Sequence, residues 1–435
     1  MNKIWFYILL LILSNCSLNP NSNFWTKDKK IEIVSKNISK IFEKDKSIEK
    51  ELNPNLKINI KSISAFDKET IHLSNNEGTS KFNKKNIKKS SKFNFSKIEN
   101  FNHFEPDLVF DGKNFIFFDN KSNLLKFNEE FRSVWKKNFY NKNEKKLKPV
   151  LTLSIFKDDL VVADSIGKIY KVDIVSGKLI WSKTNSNPFN SQLKIYKDKI
   201  FVIDINNILR CFSLSSGDEL WRYNSENTFL KSNKRNSIAI KDDKIYFSNS
   251  LGDLSAINAN NGSLIWQIPT QSSSIYEDAF SLKMSDLVIS GESLIFSNNR
   301  NELYSVNLAN GILNWKNKVN SSVRPIVLDN VILTFSNEGF FFVINKMSGE
   351  IIRITNIFKD YKKKQKDKVI PIGFITNQKE IILTTNNGRL LIIDVISGKT
   401  LSIMKIDNQR ISRPSIDIYR DLHCWEMRFN AVLDG

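Results

Sequence analysis

The chain has 435 residues, more than one compact core usually spans, so it is either several domains or a repetitive architecture whose core grows by addition. Hydrophobic residues make up 41% and aromatics 11%, with 31 Phe and 8 Trp, which excludes a mostly disordered chain. The formal charge of +19 is spread over loops and strands alike, with no nucleic-acid-binding motif to focus it, so it reads as compositional bias and not as a nucleic-acid surface.

Residues 1–15 read as an export signal: Lys3 is a short positive n-region, and Ile4 to Leu13 form an apolar h-region too short to span a bilayer permanently. Leu13-Ser14-Asn15-Cys16 resembles a bacterial lipobox, in which signal removal leaves the cysteine as the acylated first residue. Several acyl chains, at about 0.8 kcal/mol per buried CH₂, would hold such a protein on a membrane essentially permanently. Asn15 departs from the Gly, Ala or Ser usual at that position, and the alternative is an ordinary secretory signal with a chance cysteine. Ser17 follows Cys16 where an inner-membrane lipoprotein would carry Asp, so the resemblance implies the outer membrane, periplasmic face.

Residues 16–55 read as a lipidated polar tether rich in Lys, Asn and Ser, with a short amphipathic segment at Ile31, Val34, Ile38, Ile41 and Phe42. Alternating β-like fragments follow at Lys57 to Ile63, Thr70 to Ser74 and Lys92 to Ile98.

From residue 114 the sequence repeats. Seven units of 22 residues end at 135, 181, 221, 266, 315, 353 and 402, among them LVVADSIGKIYKVDIVSGKLIW (160 to 181) and IYFSNSLGDLSAINANNGSLIW (245 to 266). In each, an apolar run rich in Val, Ile, Phe and Tyr forms one strand, and a turn of Asn, Asp, Gly or Ser reverses the chain. A second alternating strand returns, and Ser-Gly or Asn-Gly opens a third segment ending in Trp. A fourth strand fits between units, as at Ser191 to Tyr196 or Arg324 to Leu328. Four strands in roughly 45 residues is the pattern of a propeller blade, so the fold class is an all-β propeller of about eight four-stranded blades over residues 56–417.

Gly177, Gly217, Gly262, Gly311, Gly349 and Gly398 fall where a turn needs positive φ, and Trp135, Trp181, Trp221, Trp266 and Trp315 recur where a ring can wedge between neighbouring sheets. Arg353 and Ser402 replace the Trp in the last two units, which predicts weaker junctions there. The eighth blade is expected to form by pairing the chain after Arg413-Pro414 with an N-terminal strand, Lys92 to Ile98 being the candidate. Residues 418–435 lack the alternation of the other units and predict an atypical segment in place of a regular last blade.

The Ser-Gly-x-x-x-Trp endings resemble the PQQ-like propeller repeat, and together with Cys16 and the order of Trp and non-Trp units the chain is similar to the BamB family of outer-membrane lipoproteins of the β-barrel assembly machinery. The resemblance implies a non-enzymatic scaffold without cofactor, a monomer within a hetero-complex. Its implied partners are the periplasmic domains of the central assembly subunit and nascent outer-membrane proteins.

Two loops carry that contact in the family. The first, Asn227 to Asn236, offers Phe229, Leu230 and Lys231 where the family has an apolar-apolar-basic cluster; the alternative is a strand start with Leu230 turned inward. The second, Thr270 to Ser285, has Ser281 and Lys283 where the family has acidic residues, leaving Glu277 and Asp278 as the acidic candidates in an otherwise solvated loop.

The rival within the same repeat class is a PQQ-dependent quinoprotein dehydrogenase. Such enzymes carry adjacent cysteines, Ca²⁺ ligands and an Asp base, whereas Cys16, Cys211 and Cys424 are scattered and His72, His103 and His423 have no metal-ligand spacing. No phosphate-binding glycine loop or nucleophile elbow occurs. The Asp pairs at Asp158-Asp159 and Asp242-Asp243 read as hairpin turns.

Overall fold

The computed structural model describes residues 47–58, 60, 89–94, 107–112, 114–226, 234–270, 284–298, 301–366, 368–376, 379–408, 410–416, 422–425 and 429–434. Among them are eight four-stranded antiparallel sheets. Blades one to seven cover residues 109–137, 151–184, 194–224, 238–268, 288–317, 326–356 and 371–405, each built from consecutive strands. The first strands of blades one to five lie beside one another in chain order, so they are the inner strands of a ring.

Burial explains the sequence pattern within each blade. The second and third strands are covered on both faces by neighbouring sheets, and runs such as Leu160-Val161-Val162-Ala163 and Ile200-Phe201-Val202-Ile203 are buried throughout. Outer strands face solvent on one side, leaving Leu179, Ile180, Leu220 and Leu264 exposed.

Two devices recur. Asp119, Asp164, Asp204 and Asn249 each end a second strand, and the side-chain Oδ1 accepts from the backbone N–H groups two and four residues later, closing the turn to the third strand. In all seven of these blades a β-bulge then interrupts the pairing of third and fourth strands beside the position of the repeat's last residue, as at Lys126 opposite Trp135 and Val343 opposite Arg353. Bulges bend and twist the outer strand, which aims that side chain at the next blade.

The eighth sheet closes the ring with strands Ser415–Ile416, Leu422–Trp425 and Phe429–Asp434, and with Lys89–Asn94 as its outermost member. The N-terminal strand therefore overlaps the expected one at residues 92–94. The segment 418–435, expected to be atypical, supplies two of the four strands. Ladder pairing requires extended backbone and not clean alternation, and the pairing of Lys89–Asn94 with Phe429–Asp434 joins the two ends of the chain in one sheet.

Residues 47–58, which overlap the segment read as a tether, lie along the outer edges of three blades. Ile48 N–H donates to Lys318 O, Leu52 exchanges both backbone hydrogen bonds with Ile354 at 3.1 and 2.7 Å, and Ile58 N–H donates to Ile396 O. The segment thus covers the edge of blade six that would otherwise expose unpaired N–H and C=O groups.

Candidate functional site: blade junctions and the loop face

The junctions fix the ring on which any binding surface stands. Trp135 packs with Leu151, Val162 and Val172 of blade two, and its Nε1 donates to Ile174 O at 3.1 Å. Trp181 donates to Leu214 O, Trp266 to Leu308 O and Trp315 to Lys346 O, at 3.2, 3.0 and 2.9 Å. Each acceptor lies three residues before a repeat glycine. Those glycines have φ between +69° and +74°, and the ring of the preceding blade occupies the space of a Cβ: one built on Gly217 would stand 2.6 Å from Trp181, on Gly262 2.6 Å from Trp221, and on Gly311 2.9 Å from Trp266. Gly177 bears the same relation to Trp135 and Gly349 to Trp315. Glycine is required twice over, for the backbone and for the close approach. Trp221 differs, because its buried Nε1 has no acceptor among the described residues.

The expectation of a weak junction at Arg353 is corrected. Arg353 is fully buried, its guanidinium lies over the ring of Phe341, and Nη2 donates to Val395 O at 3.1 Å, again three residues before a glycine, Gly398. Nη1 donates to Ile396 O and, at 2.9 Å, to Leu56 O of the N-terminal segment. The planar cation replaces the indole and adds bonds an indole lacks. Burial pulls its pKa down to about 10, leaving it charged at neutral pH. Ser402 is exposed and makes no equivalent plug.

The two partner-loop candidates are outer-to-inner connections of consecutive blades, three to four and four to five. In four-stranded up-and-down sheets all such connections leave one face of the ring, so the described ends of the two loops lie on that face. Phe229, Leu230, Lys231, Glu277 and Asp278 themselves lie outside the described residues. Their anchors are described. Ser225 Oγ donates to Asn207 O at 2.7 Å before the first loop, and after it the backbone of Asn236 pairs both ways with blade three, through Asn190 O and Gln192 N–H. Before the second loop Thr270 Oγ1 donates to Gly252 O at 2.5 Å. Ser237 Oγ, donating to Gln192 Oε1 and accepting from Leu287 N–H, ties the far ends of both loops together.

Other sequence candidates take structural places. Asp242 and Asp243 have positive φ in a hairpin turn, Asp243 pairing with Lys197 at 2.6 Å, and Asp159 pairs with Lys171 at 3.1 Å. Cys211 is a free, buried thiol whose pKa burial pushes up to about 12. Cys16 and His103 lie outside the described residues, as do His72 and the side chains of His423 and Cys424. Among the described residues no three His, Cys, Asp or Glu side chains are grouped to hold a metal ion.

Eight sheets around an axis, six of whose junctions are plugged from one blade onto a glycine of the next, define a β-propeller of the PQQ-like repeat class. The family model described as outer membrane protein assembly factor BamB matches residues 108–355, and the chain belongs to that family. Among solved structures, BamB from Moraxella catarrhalis is 16% identical, with 79% of this chain and 98% of that one covered and a TM-score of 0.62. The computationally designed Ika8 protein follows at 9% identity, 75% and 95% coverage and a TM-score of 0.60. The C-terminal WD40 domain of Sif2 stands at 11%, 79% and 98%, and 0.57. At these identities the likeness concerns the fold. No curated protein sequence matches the chain.

Proposed function

We propose that this protein is a non-enzymatic scaffold lipoprotein of the outer-membrane β-barrel assembly machinery, anchored through Cys16 at the periplasmic face of the outer membrane. It binds the periplasmic domains of the central assembly subunit and thereby aids folding and insertion of outer-membrane proteins. The observation that carries this reading is the family match, because residues 108–355 include both candidate loops and the blades they connect. Phe229 and Leu230 supply an apolar anchor beside the Lys231 cation, the composition from which interface hot spots are made, and Glu277 and Asp278 supply an acidic neighbour.

The anchor is compatible with that placement. Residues 16 to 47 separate the acylated cysteine from the first docked residue, and an extended chain of that length reaches on the order of 100 Å. A pull-down of the full-length protein from detergent-solubilised envelopes tests the reading. Repeated recovery of barrel-assembly subunits, dependent on the tagged protein, is the expected result; recovery of none of them would end it.

A further inference from the structure

Charge is sorted unevenly between the two faces of the ring. The connections from an outer strand to the next inner strand leave the loop face, and two of them are rich in lysine. Residues 138–150, between blades one and two, place Lys142, Lys145 and Lys146 in solvent. Residues 357–370, between blades six and seven, do the same with Lys359, Lys362, Lys364 and Lys368. Asp119, Asp164 and Asp204, which close hairpin turns on that face, are buried. The opposite face differs. Each first-to-second-strand turn of blades two to six is two residues long and includes an acid: Asp158, Asp198, the pair Asp242-Asp243, Glu292 and Asp329. None of these turns carries a net positive charge, because a lysine occurs only beside Asp158 and Asp198.

The exposed lysines stand on anchored backbone. In the first connection Asn141 caps the short helix Lys142–Lys146, its Oδ1 accepting from Asn143 and Glu144 N–H at 2.9 and 3.0 Å. Glu144, the one acid of that connection, turns its carboxylate to Lys168 of blade two at 3.0 Å, so its charge is already matched within the ring. Tyr140 fixes the start of the connection by donating to Asp164 Oδ2 at 2.7 Å. In the second connection Phe358 is fully buried against Gly339, and Val369 returns to the same core. Asn386 holds its end, Nδ2 donating to Lys368 O at 2.8 Å and Oδ1 accepting from Ile370 N–H at 2.9 Å. Charges carried on fixed backbone lose less freedom when a partner orders them.

A field of this shape selects by charge. An acidic surface is drawn to the lysines of the loop face and turned away from the acidic turns of the other. We propose that the partner bound at the loop face is acidic, and that the lysine-rich connections after blades one and six steer it onto the ring. The inference rests on the scaffold reading above, because the connections that contain Phe229, Leu230, Lys231, Glu277 and Asp278 leave the same face. That shared face favours a protein partner over the anionic surface of a membrane, which would occupy the place the partner takes.

Stopped-flow association of the intact protein with the detergent-solubilised central assembly subunit tests the proposal. The wild-type association rate should fall at least about tenfold from about 20 to about 300 mM NaCl, as added salt shortens the reach of the lysine charges. Lys145→Glu/Lys146→Glu and Lys362→Glu/Lys364→Glu should each slow association about threefold to tenfold at low salt, with dissociation within about twofold of wild type. Lys178→Glu/Lys399→Glu makes the same charge change at exposed positions on the opposite face and should alter association less than about twofold. Either loop-face pair carries the test if the other variant fails to fold. A salt-independent rate, or equal slowing by all three variants, would overturn the steering inference and leave the scaffold reading standing. No binding by the wild type would end both. Lysine-dependent flotation with phosphatidylglycerol vesicles, alongside unaltered association with the subunit, would assign the lysines to a membrane and overturn the proposal too.

Discussion

Arg353 rests on Gly398 as Trp315 rests on Gly349: a Cβ on Gly398 would stand 3.0 Å from Arg353 Nη2, and one on Gly349 2.5 Å from Trp315 Cδ2. The arginine therefore serves as the sixth blade's plug while also holding Leu56 O of the N-terminal segment. Arg353→Met removes every donor, leaves the buried Val395 O unpaired and frees Leu56 O, an expected loss of about 2–4 kcal/mol in denaturant unfolding. Arg353→Trp can recover the Val395 contact but not that to Leu56. It should lie closer to wild type in stability, yet release residues 47–58 to limited proteolysis faster than wild type does.

Gly217→Ala tests the glycine requirement against a matched control. Both Gly217 (φ +74°) and Gly291 (φ +60°) have positive φ, but only Gly217 faces an aromatic ring within 3 Å of its missing Cβ. Gly291→Ala should cost about 1 kcal/mol of backbone strain. Gly217→Ala should cost about 3 kcal/mol or more as the Trp181 contact is forced open. Equal losses in urea unfolding would show that the junction does not depend on the close approach.

Trp221 and Trp266 separate ring packing from hydrogen bonding. Trp266→Phe leaves Leu308 O without its indole donor and should cost roughly 1 kcal/mol more than Trp221→Phe, where no such bond exists among the described residues. Thermal unfolding of the two variants side by side measures the difference.

Much of this fold is legible in the sequence because the repeat prints its own physics. The Asp or Asn that closes the second-to-third turn, the glycine with positive φ and the terminal Trp recur at fixed offsets, so strands and junctions can be placed residue by residue. Arg353 is misread as a weak point because arginine is ordinarily a surface residue, and its fitness for a buried slot depends on carbonyls from two other segments. The ion pair of Asp107 with Arg235 is hidden for another reason: the two are 128 residues apart, and only closure of the ring brings them together. A search of inner-strand starts for charges at one register position could have found it. The docking of residues 47–58 leaves no local signal, since it is carried mainly by backbone hydrogen bonds.

Asp286, paired with Arg413 at 2.8 Å, bears on acid stability. Against the burial that would raise it, Arg413, Lys234 and Arg324 hold its carboxyl well below the usual range. A depressed folded-state pKa contributes stability above the unfolded value of about 4, and this is lost as pH falls below it. Wild-type unfolding free energy should therefore drop steeply below about pH 4. Asp286→Asn should be less stable at pH 7 and show a flatter acid limb; an unchanged limb would mean that the Arg413 pair does not govern acid stability.

Direct binding of the purified soluble protein to the isolated periplasmic domains of the central assembly subunit probes the scaffold role most closely. Surface-immobilised wild type should bind those domains. The double variant Leu230→Glu/Lys231→Glu should bind at least about tenfold more weakly with an unchanged melting temperature, as expected when a hot-spot pair is lost from a connection between blades. No binding by the wild type, or equal binding by the folded double variant, would contradict the assignment of this loop face to the assembly machinery.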